Sequence, residues 1–563
     1  MRKPLLFIVT AIFLASVPVV VQVNAQMHHA AAAPAKKSAN DVTLQPGLGT
    51  MHHPVTTSSP EAQKYFDQGL NLVYGFDHAE ALKSFQRAAA LDPNMAMAYW
   101  GIAYAVGPNY NVPVDWEREQ IAYEAIGKAE SLAAKATPAE RAYIAALSKR
   151  ITNDKNANLH QLDIDYSNAM RDLVKAYPED LDAATLFAES MMNLRPWKLW
   201  QPDGSPAPGT EEIVATLESV LRRDPKHLGA MHFYIHAVEA SQSPERALAS
   251  ADHLGALAPI SGHIVHMPAH IYIRTGDFES AEIANEKAAR ADEAYIASAH
   301  LQGIYPLMYY SHNLHFLAAA YGAAGRYADA MRSTQRLEHN VAPHLKDVPM
   351  LEGFMPTRYF VLARFHRWAD IMNLPQPPAG HHFQTVMWHY ARGVALAANG
   401  DAAGAQKERA ALVAAGKPIP ADMIVSPVGN TAVAVVNVAA AVLAARIIEA
   451  QEAKAGGKAD AKVIDAWRNA VTEYDKVAYA EPPDWYYSVR ESLGAALLRA
   501  KQYKEAEQVF RDDLVRNRRS GRSLYGLALA LKGEGRDYDS GFVMTEYKTA
   551  WSKAEKPLAE GDL

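Results

Sequence analysis

The run from residue 65 to residue 93, YFDQGLNLVYGFDHAEALKSFQRAAALDP, decides the fold. Tyr65-Phe66, Gly69 and Leu72 lie on one face of a first helix, and Ala81, Phe85 and Ala88 on one face of a second. The small residues Gly69, Ala81 and Ala88 let the two helices approach closely. Asp92-Pro93 then ends the unit, because proline cannot continue a helix. Another aromatic pair, in Met97-Ala98-Tyr99-Trp100-Gly101, opens a second unit about one period later.

Working outward, similar units run over Ala183 to Pro225, Leu228 to Pro259, Gly262 to Ala294, Ser311 to Pro343 and Trp485 to Leu514. In the last, Gly494, Tyr503, Ala506 and Phe510 fit the pattern. Weaker units lie near Met355 and Thr385, with turns at Trp368-Ala369-Asp370 and Gly400-Asp401-Ala402. Insertions break the period at Arg195 to Pro208 and at Ala294 to Tyr305, and inserts of this kind map to loops that shape a pocket. Alternating strands are not evident, so the fold is expected to be all-α. The spacing resembles that of tetratricopeptide repeats, which implies a helix-turn-helix solenoid wound as a right-handed superhelix.

Before the repeats, Met1-Arg2-Lys3, the apolar run Leu5 to Val21 and Val23-Asn24-Ala25 read as a secretory signal cleaved after Ala25. The mature protein is then expected in the periplasm or secreted, with no membrane span. Thr431 to Ala445 is a second apolar stretch, shorter than a span and carrying Asn437, and reads as a buried helix. Residues 26–55, rich in Ala, Pro, Lys and His, read as a flexible tail. Residues 56–415 form the repeats that carry the histidines, 416–540 the C-terminal helical repeats, and 541–563 a C-terminal tail. The chain has no cysteine, which excludes disulfides and thiolate metal sites. A net charge of −6 over 563 residues lacks the basic footprint of a nucleic-acid binder, so nucleic acid is not expected as a partner.

The most informative residues lie between 228 and 320. His232 and His236 form a helical i, i+4 pair, and His266 and His270 form another one period of 34 residues later. Aligning the units on Ala247, Ala281 and Ala330, without reference to histidine, places His232, His266 and His315 in register. The sites three earlier are Gly229, His263 and His312, and those four later are His236, His270 and Ala319. Seven of these nine sites are histidine, where 22 histidines in 563 residues would give fewer than one. The resemblance to tetratricopeptide repeats implies that these first-helix positions line the concave surface, where Glu239 and Glu189 also fall.

Neighbouring helix axes lie about 8–10 Å apart, so imidazoles from adjacent first helices can reach a common point. Imidazole is the commonest biological metal ligand, and three of them with an open position suit zinc, copper or iron. His232, His236, His263, His266, His270, His312 and His315 are therefore the expected ligands of one or two ions. Met27-His28-His29 and Met51-His52-His53 add soft donors that favour copper over zinc. Three readings stay open: a metal site, a metal-free pocket for an anionic small molecule or peptide, and a structural or pH-sensing cluster.

Catalysis is a further open question. Phe233 follows His232 and Met267 follows His266, so the His-Glu-x-x-His pattern of zinc proteases is absent, as are a phosphate-binding loop and a nucleophile elbow. Any chemistry would be metal-centred, either hydrolysis by a bound water or redox chemistry at paired coppers. Glu239, Tyr309 and Tyr310 are the candidate catalytic groups, with Tyr234 and Tyr272 as supporting candidates. The segments Tyr65 to Leu70, Gly107-Pro108-Asn109-Tyr110-Asn111, His232 to Ala240, Gly262 to Tyr272 and Pro483 to Leu497 resemble a histidine-rich family of exported bacterial tetratricopeptide repeat proteins. That resemblance implies fold and export better than activity. The competing functional class is a metal-free scaffold that holds a peptide or partner protein in its concave groove.

Overall fold

The structure is a computed structural model, and it describes residues 42–563 apart from 202, 300, 302, 304, 427–428 and 456–460. The signal sequence, Met27-His28-His29 and most of the expected N-terminal tail lie outside the described residues. Among the described residues there are no strands, only two isolated β-bridges. The elements of the first two units are α1 (Pro60–Tyr74), α2 (His78–Leu91), α3 (Ala96–Val106) and α4 (Trp116–Leu132).

Local chemistry fixes these boundaries. Ser59 caps α1 by accepting from the Ala62 N–H, with Pro60 in the first turn, where its missing N–H costs nothing. Asp77 caps α2 through the Glu80 N–H, and α2 stops at the extended residue Asp92, which precedes Pro93. Close packing follows from the glycines. A Cβ on Gly69 would lie 2.6 Å from the Phe85 ring, and one on Gly101 2.4 Å from it. The same device recurs near the other end, where Phe510 fills the space left by Gly494 and Gly526 at the same sequence spacings. In these two units one large aromatic on the second helix is thus gripped by two glycines on the flanking first helices.

The array continues through α5 (Pro138–Leu147), α6 (Leu159–Ala176), α7 (Leu181–Met192), α8 (Thr210–Arg223), α9 (Leu228–Val238) and α10 (Leu248–Leu257). Next come α11 (Gly262–His266), α12 (Pro268–Thr275), α13 (Phe278–Ala299), α14 (Tyr310–Ala323) and α15 (Tyr327–Val341). The weaker units are α16 (Thr357–Arg364) with α17 (Trp368–Met372), and α18 (His382–Ala398) with α19 (Ala402–Gly416). The last are α20 (Ala432–Lys454), α21 (Ala461–Tyr474), α22 (Val489–Arg499), α23 (Tyr503–Arg516), α24 (Gly521–Gly533) and α25 (Asp537–Ala550). The protein is an all-α tetratricopeptide-type solenoid.

Three sequence boundaries change. Residues 42–55, expected to be a flexible tail, lie along α1 because the side chains of Gln63, Asp67, Gln68 and Asn71 hydrogen-bond their backbone. The expected C-terminal tail from 541 is partly α25, and Trp551 and Leu563 beyond it are buried. Pro138 to Ala176, not recognised as a unit, is the pair α5 and α6, opened by a capping box between Thr137 and Glu140. Helix α20 is long and apolar enough to cross a membrane by length and composition, but Val435, Val438, Val442 and Leu443 are buried in the core.

The late units do not extend away from the early ones. Arg274 Nη1 donates to the Arg516 carbonyl at 3.0 Å, and Arg518 Nη1 lies 2.7 Å from Glu245. The Ala328 N–H donates to Glu555 Oε1 at 2.6 Å. The segment Tyr479 to Tyr487 thereby lies over the middle units, where Tyr486 Oη reaches the His315 carbonyl. In that segment Tyr486 sets its ring against His315 at 5.2 Å, while Trp485 packs on Tyr390, whose hydroxyl meets that of Tyr487.

Candidate metal centre

Six of the seven expected histidines converge as two trios. The first is His232 and His236 on α9 with His263 on α11; the second is His266 and His270, flanking Pro268, with His312 on α14. Within each trio, one ring nitrogen from every histidine lies within 4.8 Å of the others. The rule of assembly is the same in both: an i, i+4 pair from one unit and the position three before the register site of the next. Helical geometry requires this, because residues three and four apart share a face and the next first helix lies one interhelical distance away.

His315 is the correction. It was expected among the ligands, but its ring faces Phe354 at 5.3 Å and Tyr486 at 5.2 Å, outside both trios. His312 and His315 are three residues apart, so their directions differ by roughly 60° around the helix. By the assembly rule His315 would begin a third trio, whose i+4 member is Ala319. Repetition of the site ends there.

Hydrogen bonds fix which nitrogen of each ring is free. His232 Nδ1 donates to the Tyr74 carbonyl at 2.6 Å. His236 Nδ1 donates to Glu239 Oε1 at 2.8 Å, and His270 Nδ1 stands 2.5 Å from Glu239 Oε2. His266 Nδ1 donates to Asn285 Oδ1 at 2.6 Å, the amide being oriented by its own bond to the Ala281 carbonyl. A carbonyl or carboxylate only accepts, so the rings of His232, His236 and His266 carry the proton on Nδ1 and present a lone pair at Nε2, while His270 faces Glu239 as an ion pair. His236 Nε2 is buried without a partner. His232 Nε2 lies 3.1 Å from His263 Nε2, and His266 Nε2 lies 2.8 Å from His270 Nε2 and 3.1 Å from His312 Nε2.

The surroundings are dry and aromatic. Phe76, at a positive φ of 58° in the turn after α1, lies 4.5 Å from the His232 ring and stacks on His236 and His263. Tyr110 and Trp197 close over His236 at 5.4 and 5.3 Å, and Phe316 lies 5.1 Å from His266. The insertion at Arg195 to Pro208 does shape the pocket, through Trp197. Burial holds the imidazoles of His232, His263, His266 and His312 well below their usual range, and neighbouring imidazoles add to it. Burial also lowers His270, but Glu239 outweighs it and the net direction is upward. Burial alone would raise Glu239, yet the imidazoles of His270 and His236 hold it below the usual carboxylate range.

The other candidates separate. Glu239 is buried between the trios and joins them. Tyr309 is half-buried, its ring edge-on to His263 at 5.4 Å. Tyr310, the next residue, points away and donates to Glu293 at 2.7 Å, because successive helical residues differ by about 100°. Tyr234 and Tyr272 also face outward, bonded to Glu218 and Asp252. Glu189 accepts from Tyr104 and Asn193, away from the trios. In the motif Met51-His52-His53, His52 bonds Asp67 and His53 bonds Asp182, each at 2.8 Å, and His53 converges with Asp180 and Asp182 as a third, mixed group of donor atoms within 4.8 Å of one another, apart from the two trios.

Phe76, Phe316 and Asn285 escaped the sequence reading, and Tyr110 entered it only as part of the segment Gly107 to Asn111. Asn285 occupies a helical position, four residues after the aligned Ala281, and is buried; that was the one signal available for it. Phe76 and Tyr110 are loop residues placed by packing alone.

No protein-family model and no curated protein matches this chain. Solved structures similar to it include the human IFIT1 dimer with m7Gppp-AAAA, at 13% identity and a TM-score of 0.34, covering 89% of this chain and 92% of that one. Yeast Tom70 is similar at 11% identity and a TM-score of 0.29, covering 87% and 93%. The TPR domain of P58(IPK) follows at 12% and 0.22, covering 84% and 98%. Such likeness carries no functional argument.

Proposed function

We propose that this protein binds two transition-metal ions, one in each histidine trio, and that it does so outside the cytoplasm, in the periplasm or as a secreted protein. The observation that carries the reading is the 2.8 Å contact between His266 Nε2 and His270 Nε2. His266 carries its proton on Nδ1, so its Nε2 lone pair faces the His270 ring and needs a proton or a metal ion between the two nitrogens. A single proton satisfies one such pair. It does not satisfy the second trio's third nitrogen, on His312, or the unpartnered Nε2 of His236 in the first. A metal ion takes all three nitrogens of a trio at once.

Three neutral imidazoles with an open position suit copper or zinc, and the acceptors that face the other ring nitrogens, Glu239, Asn285 and the Tyr74 carbonyl, raise ligand basicity. Glu239 is committed to orienting two ligands. Tyr309, beside His263, is the group best placed to meet a molecule on the first ion. A bound ion would supply Lewis acidity or, as copper, redox chemistry.

Elemental analysis of the full-length protein after incubation with copper or zinc tests this. The expected contents are two ions per chain for the parent and for His315→Ala, and one for His263→Ala or His312→Ala. A parent content below roughly a tenth of an ion, with the fold intact by circular dichroism, overturns the proposal in favour of a metal-free scaffold holding a peptide or small molecule.

A further inference from the structure

The two histidine trios share Glu239 but differ in what surrounds them. In the first, two polar atoms stand close together with no bond between them. His236 Nε2, an acceptor because its ring proton lies on Nδ1, is cut off from solvent and has no donor. Trp197 Nε1, on a ring set edge-on to His236 at 5.3 Å, is cut off from solvent and has no acceptor. A metal ion takes the imidazole lone pair and leaves the indole N–H unmet. An indole nitrogen only donates, so its missing partner is an acceptor atom beside the ion.

The backbone points the same way. Five described residues other than glycine adopt the left-handed region, and two of them, Phe76 at φ 58° and Trp197 at φ 62°, are walls of the first trio. For a bulky aromatic residue that conformation costs free energy, and it persists where the surrounding fold holds the side chain in one place.

Charge separates the two sites further. Arg118 donates to the Gly107 and Pro113 carbonyls at 2.8 and 3.2 Å, holding the loop that sets Tyr110 over His236. Its positive charge, offset in part by Asp115, acts on the phenol of Tyr309, whose ring is edge-on to His263. The second trio has the opposite character. Its aromatic wall is Phe316, which has no polar side-chain atom and lies 5.1 Å from His266 and 5.3 Å from His270. Glu481, on the returning segment, has its Oε2 cut off from solvent and without a partner. Its negative charge, offset in part by Arg274, acts on His270. A cation nearby favours the ionised carboxyl, so an anion approaching the second ion meets a like charge in a dry surrounding, where repulsion is strong.

We propose that the two ions are inequivalent: the first keeps one coordination position for a small oxyanion or carboxylate that accepts from the Trp197 N–H, and the second is closed to anions. This rests on the two-ion reading above and adds the ligand class of one site.

The test uses the full-length protein loaded with copper(II), its copper content measured separately. Sodium azide is the anionic probe, read by the charge-transfer absorption it gains on copper(II). One azide should bind per parent chain, and formate should displace it. His312→Ala, which keeps the first ion, should bind azide with the parent's midpoint. His263→Ala, which keeps the second, should lose the absorption. Trp197→Phe should hold two copper ions and raise the azide midpoint by about tenfold or more, the usual cost of losing a hydrogen bond to a charged group. The two histidine variants locate the anion without touching Trp197, so the assignment to the first ion is decided even where the tryptophan variant fails to fold. With two coppers bound, no azide absorption, two azides per chain, no displacement by formate, absorption kept by His263→Ala, or an unshifted midpoint in Trp197→Phe each overturns the proposal and leaves the metal reading standing. A parent without copper overturns both.

Discussion

His270 Nδ1 stands 2.5 Å from Glu239 Oε2, and the other oxygen of that carboxylate accepts from His236, so one buried side chain joins the two trios. Glu239 keeps its shape but loses its charge as Glu239→Gln. We expect this variant to weaken both metal sites together, by about 10–100-fold, the usual cost of losing the group that orients a ligating imidazole. Competition with a chromophoric chelator reads it. Weakening of one site alone would remove Glu239 as the link.

His78 gives a pH dependence distinct from the trios. Burial, with help from Arg118 and Arg150, lowers its pKa to about 3. The unfolded value is about 6.5, so below that pH the unfolded chain takes up a proton that the folded chain refuses. The stability is fully present above about pH 6.5 and falls as pH drops towards 3, by about 2 kcal/mol at pH 5. In chelator-treated protein, His78→Phe should flatten the fall in urea stability between pH 8 and pH 5 by about that amount. An unchanged slope would show that His78 protonates freely in the fold.

Gly229 is one of the two register sites at which the histidine pattern fails, and the structure gives the reason: a Cβ there would lie 2.3 Å from the Tyr74 ring. Tyr74 also supplies the carbonyl that orients His232. Gly229→Ala should cost about 1–3 kcal/mol of stability, the usual range for overpacking. It should weaken the first metal site more than the second, as measured by calorimetric metal titration. Equal weakening of both would separate Tyr74 from the first trio.

The paired glycine grips predict local effects, since each unit depends mainly on its neighbours. Phe510→Ala should cost about 3–5 kcal/mol and speed amide exchange across α22 to α24, leaving α1 to α3 protected. Phe85→Ala should do the reverse. Uniform loss of protection in either variant would mean that the array unfolds as one.

How much was legible follows from the range of each interaction. Gly69 and Phe85 announced the helical pair because packing between consecutive helices repeats at a fixed spacing. The histidine register was legible for the same reason: six of the seven ligands expected from it converge. His315 was misread because the register fixes a position along a helix and leaves open which of two residues 60° apart faces the shared space. Tyr310 was misread on the same ground. Phe76 and Tyr110 carry no periodic signal, and the pairing of residues 42–55 with α1 rests on side-chain amides that no period announces.

The sequence by itself determined an all-helical repeat array and a line of imidazoles on consecutive first helices, because both are local consequences of helical periodicity. Only the tertiary structure decided that the line divides into two trios, that Glu239 joins them, and that aromatic loops and the returning Tyr479 to Tyr487 segment enclose the region. Those outcomes depend on helix rotation and on contacts between residues up to hundreds of positions apart, and periodicity along the chain carries no record of either.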